Sequence, residues 1–242
     1  MVMKPPVLVV GAGGGFGASL VEALLESGQP TIAVAQTREP LDGLARRFDG
    51  RGLLVTIKGS VHGDEDAAAL GQAIRRLAAR PVSAIVNLEA GCLRGRLLDS
   101  DPGLLEQAMF ESLCPQLHAA RHLLPLLGES GRCGRYLMVG MPYAGTPWLG
   151  YGHYSIVAAA TRMLVQVLRQ ESADTPVRVQ QLVLDAPVRS EENADCACPE
   201  WPEARQVARQ AVALLASADD AATFVQFDPR RGTRPQAQLE ES

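Results

Sequence analysis

Three features predict a single α/β domain built on a doubly wound parallel sheet with helices on both faces. Short β-branched and leucine runs alternate with segments of helical period along most of the chain. A glycine cluster follows the first run and opens the first helical segment. The apolar run at residues 84–88 lacks polar alternation, as a strand buried on both faces does. Together these make the fold class Rossmann-like.

The elements follow in order. Residues 7–10 form the first strand and 18–27 the first helix, with a tight Gly-rich turn between them. Residues 31–35 are the second strand, 40–48 a helix, 52–57 the third strand, 64–79 a helix and 84–88 the fourth strand. A long helix spans 104–127 with an irregularity at Pro115, followed by a strand at 136–139 and a Pro/Gly-rich loop. A second long helix covers 154–171 and a strand 177–184. Residues 189–202 hold charges, prolines and two cysteines without periodicity and read as a loop; 203–217 is an amphipathic helix, and 224–227 closes the sheet. The 242 residues are read as one domain with its core at about 7–228 and a polar tail at 229–242.

Composition narrows the partners. The net charge of -4 arises from 23 basic and 27 acidic residues with no long block of one sign, so neither nucleic acid nor an anionic membrane is expected. A small molecule or a protein fits better. The first fifteen residues lack the apolar length and cleavage pattern of a signal peptide, and no later run is long enough to span a bilayer. A soluble, cytoplasmic protein is expected. Five scattered cysteines suit reduced thiols there. Cys196 and Cys198 are one residue apart, without the two-residue gap of zinc pairs and with no histidine following, so no metal site is expected.

The turn VVGAGGGFG carries the chemistry. Gly11, Gly15 and Gly17 allow a tight turn and let backbone N–H groups approach a pyrophosphate, while Phe16 stands between the last two. A dinucleotide is the cofactor this predicts. The second strand runs on into Gln36-Thr37-Arg38-Glu39, where an arginine suits the extra phosphate of NADP(H), so that cofactor is favoured over NAD(H).

The spacing Gly-x-x-x-Gly-x-Gly resembles the cofactor turn of the short-chain dehydrogenases/reductases, with Val10 in place of that family's threonine. The resemblance extends from residue 7 to 228. IVNLEAG is similar to the family's Asn-Asn-Ala-Gly segment, with Ala90 and Gly91 in register and Asn87 offset by one, which adds these three to the cofactor site. Ser60 stands where the family often places an adenine-binding aspartate. Tyr154 matches the catalytic tyrosine at the start of a long helix, and by resemblance it passes a proton to or from the substrate oxygen.

The other catalytic positions depart from the family. Its lysine, four residues after the tyrosine, lowers the phenol's pKa from about 10; here Ala158 stands there, and the chain's two lysines are Lys4 and Lys58. Arg162 lies about 12 Å along the helix axis from Tyr154 and reads as a partner contact or surface ion pair. The substrate-orienting serine falls near Met141 or Pro142, neither able to donate a hydrogen bond. The family's asparagine falls at Ser112, able to hold a water, and Asp185 after the sixth strand offers a replacement group near the nicotinamide. His153 reads as structural, since it points about 100° away from Tyr154 on a helix.

Three readings stay open: an NADP(H) oxidoreductase of carbonyls or alcohols with an atypical site, a cofactor- or partner-binding homologue without catalysis, and a non-redox enzyme reusing the pocket. The resemblance further implies a homodimer or homotetramer through the two long helices, with Leu117, Leu124, Met163 and Val167 as contacts. It also makes 189–202 a substrate lid, whose charges and Trp201 point to a polar substrate or a partner.

Overall fold

Every side chain of Val7–Val10 (β1), Thr31–Ala35 (β2), Ser83–Val86 (β4) and Gly134–Val139 (β5) is buried. Leu54–Lys58 (β3), Val177–Val183 (β6) and Phe224–Gln226 (β7) complete a parallel sheet in the order β3-β2-β1-β4-β5-β6-β7. The computed structural model describes residues 4–50, 53–88, 94–217 and 222–229. Ala90, Gly91 and all of the polar tail beyond residue 229 lie outside them.

The uninterrupted apolar strands need cover on two sides, and the helices supply it. Gly15–Glu26 (α1), Arg38–Arg47 (α2) and Ala204–Ala216 (α7) bury Leu20, Leu24, Leu41 and Val207 against Val9, Ile85 and Leu137. Asp64–Arg75 (α3), Cys114–Gly128 (α5) and Gly152–Glu171 (α6) bury Ile74, Leu123 and Val165 against Leu8, Val86 and Val179. The order of connection reverses beside β1 and opens a crevice at the carboxyl ends of β1 and β4, where such sheets bind ligands.

Polar ties lock the helices in place. Glu22 of α1, largely buried, pairs with Arg47 of α2 and Arg205 of α7, each at 3.1 Å. Asp64 at the start of α3 accepts a hydrogen bond from His122 of α5 at 2.9 Å, which holds its carboxyl below the ordinary value, with the Arg121 cation helping. The buried Arg135 guanidinium donates to the Gln180 side chain and to the Ser217 carbonyl just beyond α7.

Element ends differ from expectation for local reasons. The long helix expected over 104–127 is Gly103–Ala108 (α4), a π turn at Met109–Leu113, and α5. Pro115 lacks the N–H that would reach Glu111, and its ring crowds that carbonyl, so the helix widens just before it. The helix α3 stops at Arg75 and not at 79, because the chain must straighten before Pro81. Among the described residues no helix is long and apolar enough to cross a membrane.

Tyr136 on β5 is fully buried, and its hydroxyl has no hydrogen-bond partner. Burial alone pushes its pKa far up and keeps the phenol neutral. Replacing it with phenylalanine removes an unpaired polar atom, so Tyr136→Phe is expected to leave Tm unchanged or raise it, by up to about 1 kcal/mol of stability in a thermal melt. A fall of Tm would show that the hydroxyl is satisfied.

Candidate functional site

The Gly-rich turn is shaped by contacts that no side chain could share. Gly11 has φ +84°, and a Cβ there would stand 1.7 Å from the Asn87 carbonyl oxygen. A Cβ on Gly17 would stand 2.1 Å from the Gly11 carbonyl oxygen, so α1 approaches the turn backbone to backbone. Gly14 precedes α1 and provides no side-chain cap, which leaves the first N–H groups of α1 to an outside acceptor. This cradle fits the pyrophosphate of a dinucleotide. Arg38 is exposed in the first turn of α2, just past β2, and Glu39 follows it. At the adenine end, Ser60 Oγ accepts the His62 N–H at 3.1 Å, and the Gln36 amide lies 3.1 Å from the His62 ring.

A cavity of about 340 Å³ begins beside this turn. Phe16 and Asn87, both buried, line it together with Val139, Met141, Pro142 and Tyr154. The Asn87 N–H donates to the Val10 carbonyl at 3.0 Å, which ties the end of β4 to β1. Tyr154 enters from the first turn of α6, whereas the neighbouring His153 is 3% exposed, lies outside the cavity lining and leaves Nδ1 without a partner. Adjacent helical positions diverge by about 100°, so one side chain reaches the cavity and the other is buried behind it.

Ala158, one turn after Tyr154, is buried, as is Met141. The apolar side chains at the family's lysine and serine positions pack together in a small cluster with Val157, against which Tyr154 lies. Ser112 is buried in the π turn, outside the cavity lining. Asp185 is exposed and lines a separate hollow with Arg189, Glu200 and Glu203, away from Tyr154. Arg162 is neither in a surface ion pair nor near the cavity: its guanidinium lies 4.0 Å from the centre of the Phe224 ring, a cation–π contact between α6 and β7.

An aromatic stack, which the sequence did not single out, forms one wall. Trp148 lies between Tyr143 and Tyr151 at ring separations of 4.6 and 4.0 Å, with Tyr154 edge-on at 5.9 Å. The Trp148 N–H donates to Ser155 Oγ at 2.9 Å, and Tyr143 takes φ +64°, a strained conformation for a large side chain. Only the density of aromatics between residues 143 and 154 signalled this wall.

Residues 189–202 form another wall of the cavity. The neck of this loop is closed by Arg189 and Glu203, whose side chains meet at 2.6 Å, and by the Arg189 N–H to the Pro202 carbonyl at 2.8 Å. Ser190 and Asn193 form a reciprocal capping box over the turn Glu191–Asn193, a Ser-x-x-Asn pattern readable in the sequence but missed. The lid rests on the cofactor turn: a Cβ on Gly15 would lie 2.9 Å from Ser190 Oγ and 3.3 Å from the Glu192 carboxyl carbon. The lid's ion-paired neck faces the separate hollow, while Ser190, Asn193, Cys196 and Trp201 line the cavity. Among the described residues, the cavity lining holds no charged group for the polar substrate expected from the loop's composition.

A Gly-rich turn at the switch point of a parallel sheet, with a tyrosine-bearing cavity beside it, defines the nucleotide-binding α/β class. Residues 6–195 match the model of the short chain dehydrogenase family, and the chain belongs to that family. A curated relative, the PIGF/3-ketodihydrosphingosine reductase fusion protein of Schizosaccharomyces pombe, is 27% identical over 182 residues, 69% of this chain. The chain spans 35% of that relative's length. The gluconate 5-dehydrogenase of Burkholderia cenocepacia, solved with NADP and tartrate, superposes with TM-score 0.82 at 17% identity, covering 94% of this chain and 95% of that one. RhlG of Pseudomonas aeruginosa, solved with NADP, gives 0.80 at 20% identity, covering 96% and 97%. At these identities the likeness to the solved structures is one of fold.

The backbone contact at Gly17 predicts that Gly17→Ala will force α1 away from the turn. The expected outcome is a drop of at least about 2 kcal/mol in stability by denaturant melt; an unchanged midpoint would show that the turn relaxes freely.

Proposed function

We infer that the protein binds NADP(H) at the Gly-rich turn and interconverts a carbonyl and an alcohol in the adjoining cavity, with Tyr154 as the proton-transfer group. The observation that carries this reading is the placement of Tyr154 in the cavity that begins at Phe16 and Asn87, beside a cradle shaped for pyrophosphate. The nicotinamide, when bound, supplies or accepts the hydride. Gly11, Gly15 and Gly17 let the backbone approach the pyrophosphate, Arg38 meets the 2′-phosphate, and Tyr154 holds or releases a proton at its hydroxyl. NADP in the two solved neighbours and a ketone reductase in the curated relative's name support the cofactor and the reaction type.

Ala158 and Met141 favour a second reading, in which the protein keeps the cofactor but not the rate. No lysine stands one turn from Tyr154 to stabilise a phenolate, and no serine orients a substrate oxygen. Groups that act as a unit lose most of their rate together. Saturable NADPH binding with turnover that Tyr154→Phe lowers at least about 100-fold supports the enzyme. Binding with no turnover across a carbonyl screen supports the cofactor-binding homologue, and no binding of NADPH or NADH sinks both.

The cofactor preference rests on Arg38. Arg38→Ala is expected to weaken NADPH binding about 10-fold, a typical loss for a charge-assisted contact, and to leave NADH unaffected. The Glu192 carboxylate lies where the pyrophosphate would approach α1, so Glu192→Gln should tighten NADPH binding about 2- to 5-fold at low salt, read by nicotinamide fluorescence.

The protein is further read as a cytoplasmic homodimer or homotetramer. Leu117 of α5 and Met163 and Val167 of α6 are 47%, 57% and 40% exposed, an apolar face that association would cover; Leu124 is instead packed against the core. The free thiols Cys114, Cys133, Cys196 and Cys198 suit a reducing compartment. Leu117→Asp with Met163→Asp is expected to yield monomers by light scattering; an unchanged mass would place the interface elsewhere.

A further inference from the structure

We propose that the cavity takes an uncharged, predominantly apolar carbonyl compound, such as a medium-chain or aromatic ketone, and discriminates against oxo acids and polyols. This rests on the reading of the cavity as the substrate site and names its substrate class. Away from the cofactor turn, the lining includes Met141, Pro142, Trp148, Tyr154, Cys196 and Trp201 with Ser190 and Asn193, and among the described residues none that lines the cavity carries a charge. A carboxylate or phosphate entering there would lose its water without gaining a cation. A polyol fares little better, because the lid's polar groups are already engaged. The Ser190 N–H donates to Asn193 Oδ1 at 2.8 Å, Asn193 Nδ2 donates to the Val188 carbonyl at 2.9 Å, and Ser190 Oγ accepts from the Asn193 backbone.

The lining suits a compound with few polar atoms, met by Tyr154 and Asn87, and an apolar body against the aromatic wall. In that wall the Trp148 ring stacks on Tyr143 and Tyr151, and the Trp148 backbone N–H donates to Ser155 Oγ.

The chain's two tryptophans, Trp148 and Trp201, both line this cavity, so intrinsic fluorescence reports its occupancy directly. The experiment titrates the full-length protein with 2-decanone, 2-oxodecanoate and fructose, with and without NADP+, and follows tryptophan emission. The expected result is saturable change with 2-decanone at a Kd at least tenfold below that for 2-oxodecanoate, and none with fructose. In Trp201→Phe the change should persist through Trp148 with reduced amplitude. Equal or tighter binding of 2-oxodecanoate or fructose overturns the proposal, as does the absence of any change up to the solubility of the ketone. A parallel titration with NADPH separates the two readings. NADPH binding without ketone binding defeats the substrate class alone, whereas ketone binding without NADPH binding leaves the apolar site standing and defeats the redox function.

Discussion

The first turn of α1 meets the end of β1 through backbone alone, and the geometry of the rest of the site follows from that contact. With no Cβ at Gly11 or Gly17, the Asn87 carbonyl and the Gly11 carbonyl fill space that side chains would occupy. The end of β4 is thereby held against the turn, and Phe16 is directed into the cavity. Any widening here would shift α1, whose far side is fixed to α2 and α7 through Glu22. Packed interiors transmit such shifts and do not absorb them. The cradle and the cavity are thus parts of one rigid arrangement.

The opposite side of the cavity is held by aromatic packing in place of polar groups. Where a lysine would need hydrogen-bond partners and a counter-charge at depth, Ala158 and Met141 need only neighbours, and they find them in each other and Val157. The strain of Tyr143 is repaid by its stacking on Trp148. Such a wall orients a flat or flexible apolar body by shape. It gives no directional force on a polar substrate beyond what Tyr154 and Asn87 supply.

The legible and illegible parts of the molecule divide by the range of the interactions that determine them. The strands β1, β2 and β4 and the cofactor turn were readable because their signals are local: apolar runs buried on both faces, and glycines where backbone must touch backbone. The absence of a lysine after Lys58 was equally plain, and it leaves Tyr154 with Ala158 one helical turn on. The site's walls were not readable, because Trp148 and Trp201 are 53 positions apart and meet only through the fold. Asp185 and Arg162 were assigned by distance along the chain, yet the first faces another hollow and the second finds the Phe224 ring on β7. Composition said least about geometry at residues 189–202, where charge and Trp201 suggested a polar substrate or a partner, yet the charged side chains lie outside the cavity lining.

That last case follows from how a closed loop distributes its side chains. Arg189 and Glu203 pair at the neck and hold the loop's ends together, while Glu191, Asp195 and Glu200 are exposed and outside the cavity lining. The capping box then uses the polar atoms of Ser190 and Asn193 to turn the chain back, and this leaves Cys196 and Trp201 facing the cavity. A loop that is polar by count thus turns no charge to the cavity, and the polar atoms that Ser190 and Asn193 bring there also satisfy the loop's own backbone. Glu192 is exposed and lies over the first turn of α1, near the N–H groups that a pyrophosphate would use. Loop and Gly-rich turn therefore meet at Gly15, where a carboxylate stands beside the uncapped start of α1.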